Sequence, residues 1–226
     1  MNRFFVDLKE DNHFVLSKEH LKHLKVLRID NKPFICVYQE QFYKCILNNE
    51  VAEIIEIIDQ NHESDFEIIL AISVIKFERF EWLLQKATEL GVSRIIPFVS
   101  DHTNHELVKY NKYQKKIQRF ETIILNAAEQ SFRNKLPILE PLTTFTKLLD
   151  YPINNKIIAH EKVEVSKTLI QPIDQEVIFF VGPEGGFSDN EIDLAIKHNF
   201  NLVSLGSRIL RAETAGIFLL SQIKIK

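Results

Sequence analysis

Glycine is scarce in this 226-residue chain, and five of its six glycines lie between residues 182 and 216. The first of them closes an unbroken apolar run, Val177-Ile178-Phe179-Phe180-Val181, and opens the segment Gly182-Pro183-Glu184-Gly185-Gly186-Phe187. Ser188-Asp189-Asn190-Glu191 follows as a capping-box pattern at the start of an apolar-periodic helix. The chain thus passes from a buried strand through a side-chain-poor turn into a helix. Glycine concentrated at one corner marks backbone geometry that a Cβ would obstruct. Open α/β sheets bind ligands at such corners, beyond the carboxyl ends of their strands. A second corner follows at Leu205-Gly206-Ser207-Arg208-Ile209-Leu210-Arg211-Ala212-Glu213-Thr214-Ala215-Gly216. Exposed backbone N–H groups at a helix N-terminus suit an anion. Yet the lysine and Ser/Thr of a P-loop are missing, and so is the glycine spacing of a dinucleotide fold. Glu184 beside the turn would repel phosphate. The corner reads as a backbone site for a neutral or cationic ligand, with a plain tight turn as the alternative.

The remaining segments supply the sheet. Residues 3–8 alternate as a strand does, and 17–28 read as a short helix with Ser17 as cap and Leu21, Leu24 and Leu27 as its apolar stripe. Residues 33–38, 42–47 and 51–58 are strand-like, and the polar stretch 59–65 is a boundary. Beyond it, 66–74 is a near-continuous apolar run of the kind buried in a parallel sheet. Phe80, Leu83, Leu84, Ala87 and Leu90 then fall at helical spacing, stopped by Gly91. Residues 95–99, 156–159, 177–181 and 202–205 are further strands. Ile117, Phe120, Ile124, Ala127, Ala128 and Ser131 line a longer helix, and 212–223 form an apolar one. This alternation predicts an α/β fold with a parallel sheet, over 66–226, after a small β-rich domain over 1–64.

With 45% hydrophobic and 26% charged residues the composition is that of an ordinary globular protein. A net charge of −3 argues against indiscriminate nucleic-acid binding but allows local basic patches. Cys36 and Cys45 form no CxxC and no cluster at metal spacing, so free thiols and no metal are expected. No signal peptide and no membrane-length apolar run is read, which makes a cytoplasmic location the default.

The two glycine corners, in this order and spacing, resemble the RsmE family of 16S ribosomal RNA uracil N3-methyltransferases, of the SPOUT superfamily. Two upstream segments match as well: Phe80-Glu81-Trp82 with Gln85-Lys86-Ala87-Thr88-Glu89-Leu90-Gly91-Val92, and Ala128-Glu129-Gln130-Ser131-Phe132-Arg133-Asn134. His23-Leu24-Lys25-Val26-Leu27-Arg28 is similar to a motif of the family's N-terminal PUA-like β-barrel. The resemblance spans the whole chain. It implies a trefoil-knotted methyltransferase domain, with the knot within about 155–226, and a homodimer that acts on 16S rRNA of the 30S subunit with S-adenosylmethionine. The cofactor would lie against three loops, at Ile158-Ala159-His160-Glu161, at Val181, Gly182, Pro183, Glu184, Gly185 and Gly186, and at Leu205, Gly206, Ile209, Leu210 and Arg211, with Thr214 following. Its sulfonium agrees with the charge argument above, and Gly182, Gly185 and Gly206 would let backbone approach the adenosine.

Methylating N3 requires loss of the imide proton, and cationic donors near the uracil oxygens favour the developing anion. Arg211 and Arg133 are candidates for that role. Glu213 is a candidate base or orienter of Arg211, or else a carboxylate favoured by the helix dipole. For RNA, the resemblance and the charges point to Arg3, His23, Arg28, Lys76, Arg79, Glu129, Gln130 and Arg133. The run Lys109, Lys112, Lys115, Lys116 and Arg119 is either a phosphate-binding face or a solvated one. The family's barrel usually carries an Asp-Gly turn, for which this chain has Tyr38-Gln39-Glu40-Gln41-Phe42. The competing functions are methylation of another RNA, a non-catalytic assembly factor that binds RNA, and a nucleotide-phosphate enzyme. The last is disfavoured by the absent P-loop lysine.

Overall fold

The apolar run after residue 66 becomes β7 (Ile68–Ser73), a strand buried along its whole length. A computed structural model describes residues 1–29, 32–164 and 172–224. Within them the chain divides into two compact units, Met1–Glu63 with Leu125–Leu136, and Ser64–Ile124 with Pro137–Lys226.

In the larger unit every strand pairing is parallel. The order is β10 (Thr143–Thr144), β8 (Arg94–Val99), β7, β12 (Val177–Val181), β11 (Lys156–Ala159) and β13 (Asn201–Val203), with β9 (Ile138–Leu139) also on β8. Burial on both faces explains the unbroken apolar runs, because successive side chains enter different cores. Ile68, Leu70, Ile72, Ile157, Val177 and Phe179 join one cluster, with α2 (Phe77–Glu89) and α6 (Ala212–Leu220). Ile69, Ala71, Phe98, Ile158, Ile178 and Phe180 join the other, with α4 (Phe145–Leu148) and α5 (Asp189–Lys197). On α2 the buried face is Phe80, Leu83, Leu84 and Ala87, and Gly91 at φ +87° follows its end. A Cβ at Gly216 would lie 3.1 Å from Leu83 Cδ1, so α6 approaches α2 closely only without a side chain there. The expected apolar C-terminal helix is therefore core over Ala215, Gly216, Leu219 and Leu220. Of the segment 155–226 expected to be knotted, residues 165–171, 225 and 226 lie outside the described residues.

The smaller unit is a six-stranded sheet in the order β1 (Arg3–Phe5), β4 (Phe34–Tyr38), β5 (Gln41–Asn48), β6 (Val51–Ile58), β3 (His13–Val15), β2 (Lys9–Glu10). Only β1–β4 is parallel. Residues 3–8, expected as one strand, supply only β1, and the hairpin of β2 and β3 was not expected. Ser17 caps α1 (Lys18–Val26), accepting from the His20 N–H, and the His20 ring accepts from the Ser17 N–H in return. Phe4, Phe14, Phe34, Leu24 and both cysteines, which are free thiols, form the core. The two-residue turns of the β4–β5 and β5–β6 hairpins place Gln39 (φ 47°), Glu40 (φ 64°), Asn49 (φ 45°) and Glu50 (φ 69°) in left-handed conformations that glycine usually fills.

The segment after α3 (Ile117–Gln130) is tied into this smaller unit. The Arg133 guanidinium forks onto Glu63, with Nε–Oε1 at 2.9 Å and Nη2–Oε2 at 2.7 Å. Asn134 Nδ2 donates to the carbonyls of Glu40 (2.9 Å) and Gln60 (2.8 Å). Arg3 is buried, donates to the Glu129 and Gln130 carbonyls, and lies 3.5 Å over the Phe132 ring. The described residues contain no group of three or more metal-ligating side chains and no helix long and apolar enough to cross a membrane.

Candidate active site

At the carboxyl ends of β11, β12 and β13, three loops surround a cleft of about 470 Å³, within the usual range for small-molecule sites. The first loop contributes Ala159, His160 and Glu161, the second Val181 to Gly186, and the third Ser204 to Arg211, with Ala212 and Ala215 of α6 as floor. The predicted capping box opens α5. Ser188 Oγ accepts from Glu191 N–H at 3.2 Å, and Glu191 Oε2 accepts from Ser188 N–H at 2.9 Å. Glu191 Oε1 also accepts from the Asp101 N–H at 3.0 Å, tying the glycine turn to the loop after β8.

The glycines serve different purposes. Gly206 has φ +106° with open space where a Cβ would stand, so the wall there is bare backbone. Gly186 has φ +69°, and a Cβ would meet Glu161 Oε1 at 2.8 Å. At Gly182 and Gly185 the missing Cβ makes room for the Phe187 ring and for His102, each 3.1 Å away, rather than for a ligand.

Of the residues expected at the cofactor, Ala159, His160, Val181, Gly182, Pro183, Glu184, Gly185, Gly186, Leu205, Gly206, Ile209, Leu210 and Arg211 line this cleft. Ile158 does not. Strand alternation turns it into the opposite core, where it is fully buried. Thr214 does not either, because it lies on the exposed face of α6. Ser207 and Arg208, within the expected loop from Leu205 to Arg211, line the cleft too, and Ser204, Ala212 and Ala215 beside it do so without having been singled out. His160 is buried with Nδ1 unbonded among the described residues, 3.6 Å from Glu161 Oε2. Burial lowers its pKa, against the opposing pull of Glu161.

The charged groups are arranged differently from expectation. Arg79, assigned from sequence to RNA, lies in the cleft wall between two carboxylates, with Nη1 3.4 Å from Glu184 Oε1 and Nε 3.8 Å from Glu213 Oε1. Glu213 is only 6% exposed and its Oε2 has no hydrogen-bond partner among the described residues. Its cationic neighbour is thus Arg79, not Arg211. Arg211 is exposed at the N-cap of α6 and lines the cleft. Arg133 is 3% exposed, pairs with Glu63 in the smaller unit and is not among the residues lining the cleft. Arg3 and Glu129 are likewise internal ties, Glu129 accepting from the Phe5 N–H at 3.3 Å. Gln130, His23, Arg28 and Lys76 are exposed. In the lysine run, Lys109 and Lys112 pair with Glu106 and Arg119 with Glu81, while Tyr113 is buried between Phe80 and Phe120. Two carboxylates thus face five cations, and the run keeps a net positive charge.

A second cleft, of about 400 Å³, adjoins the first and shares Arg79, Glu184 and Gly185 with it. Its other lining residues are Lys76, His102, Asn104 and Leu107. His102 and Asn104, on the loop beyond the carboxyl end of β8, were missed. The rule that ligands gather at strand carboxyl ends is the signal that points to them.

Residues 62–224 match the family model described as an RNA methyltransferase domain. Ribosomal RNA small subunit methyltransferase E of Mesomycoplasma hyopneumoniae is 42% identical over 98% of both chains. Its Bacillus subtilis namesake is 29% identical over 99% of this chain and 96% of the relative. The crystal structure of ribosomal RNA small subunit methyltransferase E from Neisseria gonorrhoeae, bound to S-adenosyl methionine, superposes with a TM-score of 0.84 at 29% identity, covering 98% of this chain and 95% of that one. A Legionella pneumophila protein solved with the same cofactor gives 0.83 at 31% identity, over 97% and 95%. A three-loop cleft beyond a parallel sheet, a family model over most of the chain and full-length relatives lead to one assignment: the chain belongs to the ribosomal RNA small subunit methyltransferase E family.

Proposed function

We propose that the protein transfers a methyl group from S-adenosylmethionine to N3 of one uridine in the 16S rRNA of the small ribosomal subunit. The observation that carries this reading is the cleft of three backbone-rich loops with Arg79 held between Glu184 and Glu213. The cleft fits the cofactor chemically. Val181, Leu205, Leu210 and Ala215 offer an apolar bed for a purine, Glu161 and Glu184 offer anions to a cationic ligand, and Gly206 leaves backbone bare. The cofactor, when bound, supplies an electrophilic methyl on a sulfonium.

The chain's own residues do the rest. The three loops hold donor and base in line, which lowers the barrier through lost freedom already accounted for in binding. Arg211 is proposed to stabilise charge on a uracil oxygen, and Glu213 to hold Arg79 against the same region. We propose a trefoil knot within about 155–226 and read the six-stranded unit as a PUA-like RNA-binding barrel. RNA contacts are assigned to the exposed His23, Arg28, Lys76 and Gln130, and the working species to a cytoplasmic homodimer. In a knockout strain, mass spectrometry of 16S rRNA is expected to lack one N3-methyluridine, restored by incubating 30S subunits with protein and cofactor. A site that stays unmethylated while the protein still binds the RNA points to an assembly factor and overturns the proposal.

A further inference from the structure

Resting on that reading, we infer that the second cleft receives the target uracil and that His102 Nε2 accepts its N3 proton. The cleft shares its Arg79–Glu184–Gly185 wall with the cofactor cleft, so a base seated in it meets the methyl donor across one boundary.

His102 is exposed, and its ring is anchored on one side by the glycine turn. Its Nδ1 lies 3.0 Å from the Gly185 carbonyl and 3.2 Å from that of Gly186. Carbonyls only accept, so Nδ1 carries the hydrogen and the neutral ring keeps a lone pair on Nε2. Nε2 has no hydrogen bond among the described residues. The neighbours of His102 are pinned: Asp101 N–H donates to Glu191, Asp101 Oδ2 accepts from Ser188 Oγ at 2.6 Å, and buried Thr103 bonds Ser73 at 2.8 Å. Gly185 makes room for the ring's Cβ.

The polar groups complement uracil rather than cytosine. Uracil presents an acceptor, a donor and an acceptor along O4, N3–H and O2. Asn104 Oδ1 is occupied by the Glu106 N–H at 3.1 Å, which leaves its amide NH₂ to donate. Lys76 and Arg79 also only donate. The cleft therefore offers donors beside two acceptors, Nε2 and the Glu184 carboxylate that Arg79 engages. Cytosine, whose N3 is an acceptor, has no hydrogen there to give Nε2 and sets one lone pair against another. In the transfer, N3 gives its proton to Nε2 and uses the freed pair to bond the methyl carbon. The pair of the broken carbon–sulfur bond stays on sulfur, and the imidazolium passes its proton to water.

The test uses the full-length protein in two arms. In single turnovers on 30S subunits at saturating S-adenosylmethionine, His102→Ala is expected to lower the rate about 10²-fold or more, and added imidazole to restore much of it. His102→Asn, which keeps a donor for the Gly185 carbonyl, is expected to be as slow. Without cofactor, fluorescence anisotropy is expected to show wild-type protein preferring an rRNA hairpin with the target uridine over its cytidine counterpart by about fivefold or more. His102→Ala should lose that preference. Near-wild-type turnover by His102→Asn, or a slow His102→Ala that imidazole does not rescue and that still prefers uridine, overturns the inference. If wild-type protein methylates nothing, the function fails, and the cofactor-free binding arm still decides the uracil site.

Discussion

Replacing Arg133 with alanine separates a structural role from a catalytic one. The side chain is 4% exposed and its partner Glu63 15%, joined by N–O contacts of 2.7 to 3.1 Å. Removing one member of a buried ion pair typically costs about 3–5 kcal/mol, because the other charge is left unpaired. Glu63 keeps two backbone donors after the change, from Asn134 at 2.8 Å and Lys135 at 3.3 Å. These place the loss near the lower end, about 3 kcal/mol. Urea unfolding followed by circular dichroism, fitted with two transitions because there are two units, is expected to show one transition weakened by that amount. Isothermal titration with S-adenosylmethionine should find an unchanged dissociation constant. A double-mutant cycle with Glu63→Ala should give a loss well short of the sum of the single losses. Wild-type unfolding of Arg133→Ala combined with kcat lower by about 10²-fold would refute this reasoning and return Arg133 to the chemistry.

Burial pushes the Glu129 carboxyl up to about 7, against the Phe5 N–H and the Arg3 charge. The folded state therefore keeps a proton that the unfolded chain releases near pH 4. The contribution is complete below that pH and is lost as pH rises through about 7. Glu129→Gln should remove this decline in urea midpoints between pH 5 and 8, and an unaltered slope would count against it. Glu50→Gly converts the β5–β6 turn to Asn-Gly at two left-handed positions, and should stabilise by about 1 kcal/mol, raising Tm by roughly 2–4 °C in a scan. Gly206→Ala imposes a side chain at φ +106° and projects a methyl into the cleft. A strain of about 1–3 kcal/mol and a cofactor dissociation constant raised about tenfold are expected by calorimetry, a tenfold change being about 1.4 kcal/mol.

Local pattern made much of this molecule readable. The apolar runs at 68–73 and 177–181 are strands because alternate residues fill two cores, and Ser188 to Glu191 cap a helix as their spacing requires. The loops that line the cleft were legible because glycine is rare elsewhere. The β2–β3 hairpin was not, since Lys9, Glu10 and His13 carry no apolar alternation over so short a stretch. Charges misled for a different reason. Arg3, Arg79 and Arg133 look alike in a string of letters, and each is defined by a partner far along the chain, such as Glu184 for Arg79, 105 residues away. Ile158 and Thr214 fell within the right segments, and strand alternation and helix periodicity turned them away.

The membership of Leu125–Leu136 in the smaller unit also sets a schedule for synthesis. The N-terminal sheet is complete at residue 58, yet the residues that engage Arg3 and Glu63 emerge only some seventy positions later. At elongation rates of roughly 5–20 residues per second, that is a wait of several seconds. For that interval the nascent chain carries Glu63 without its arginine and Arg3 without its carbonyls, while β7, α2 and β8 are being made. Stalling of the ribosome between β8 and α3 would strand an N-terminal unit that has its strands and lacks its clasp. The length of that window is set by the 70 residues between Glu63 and Arg133.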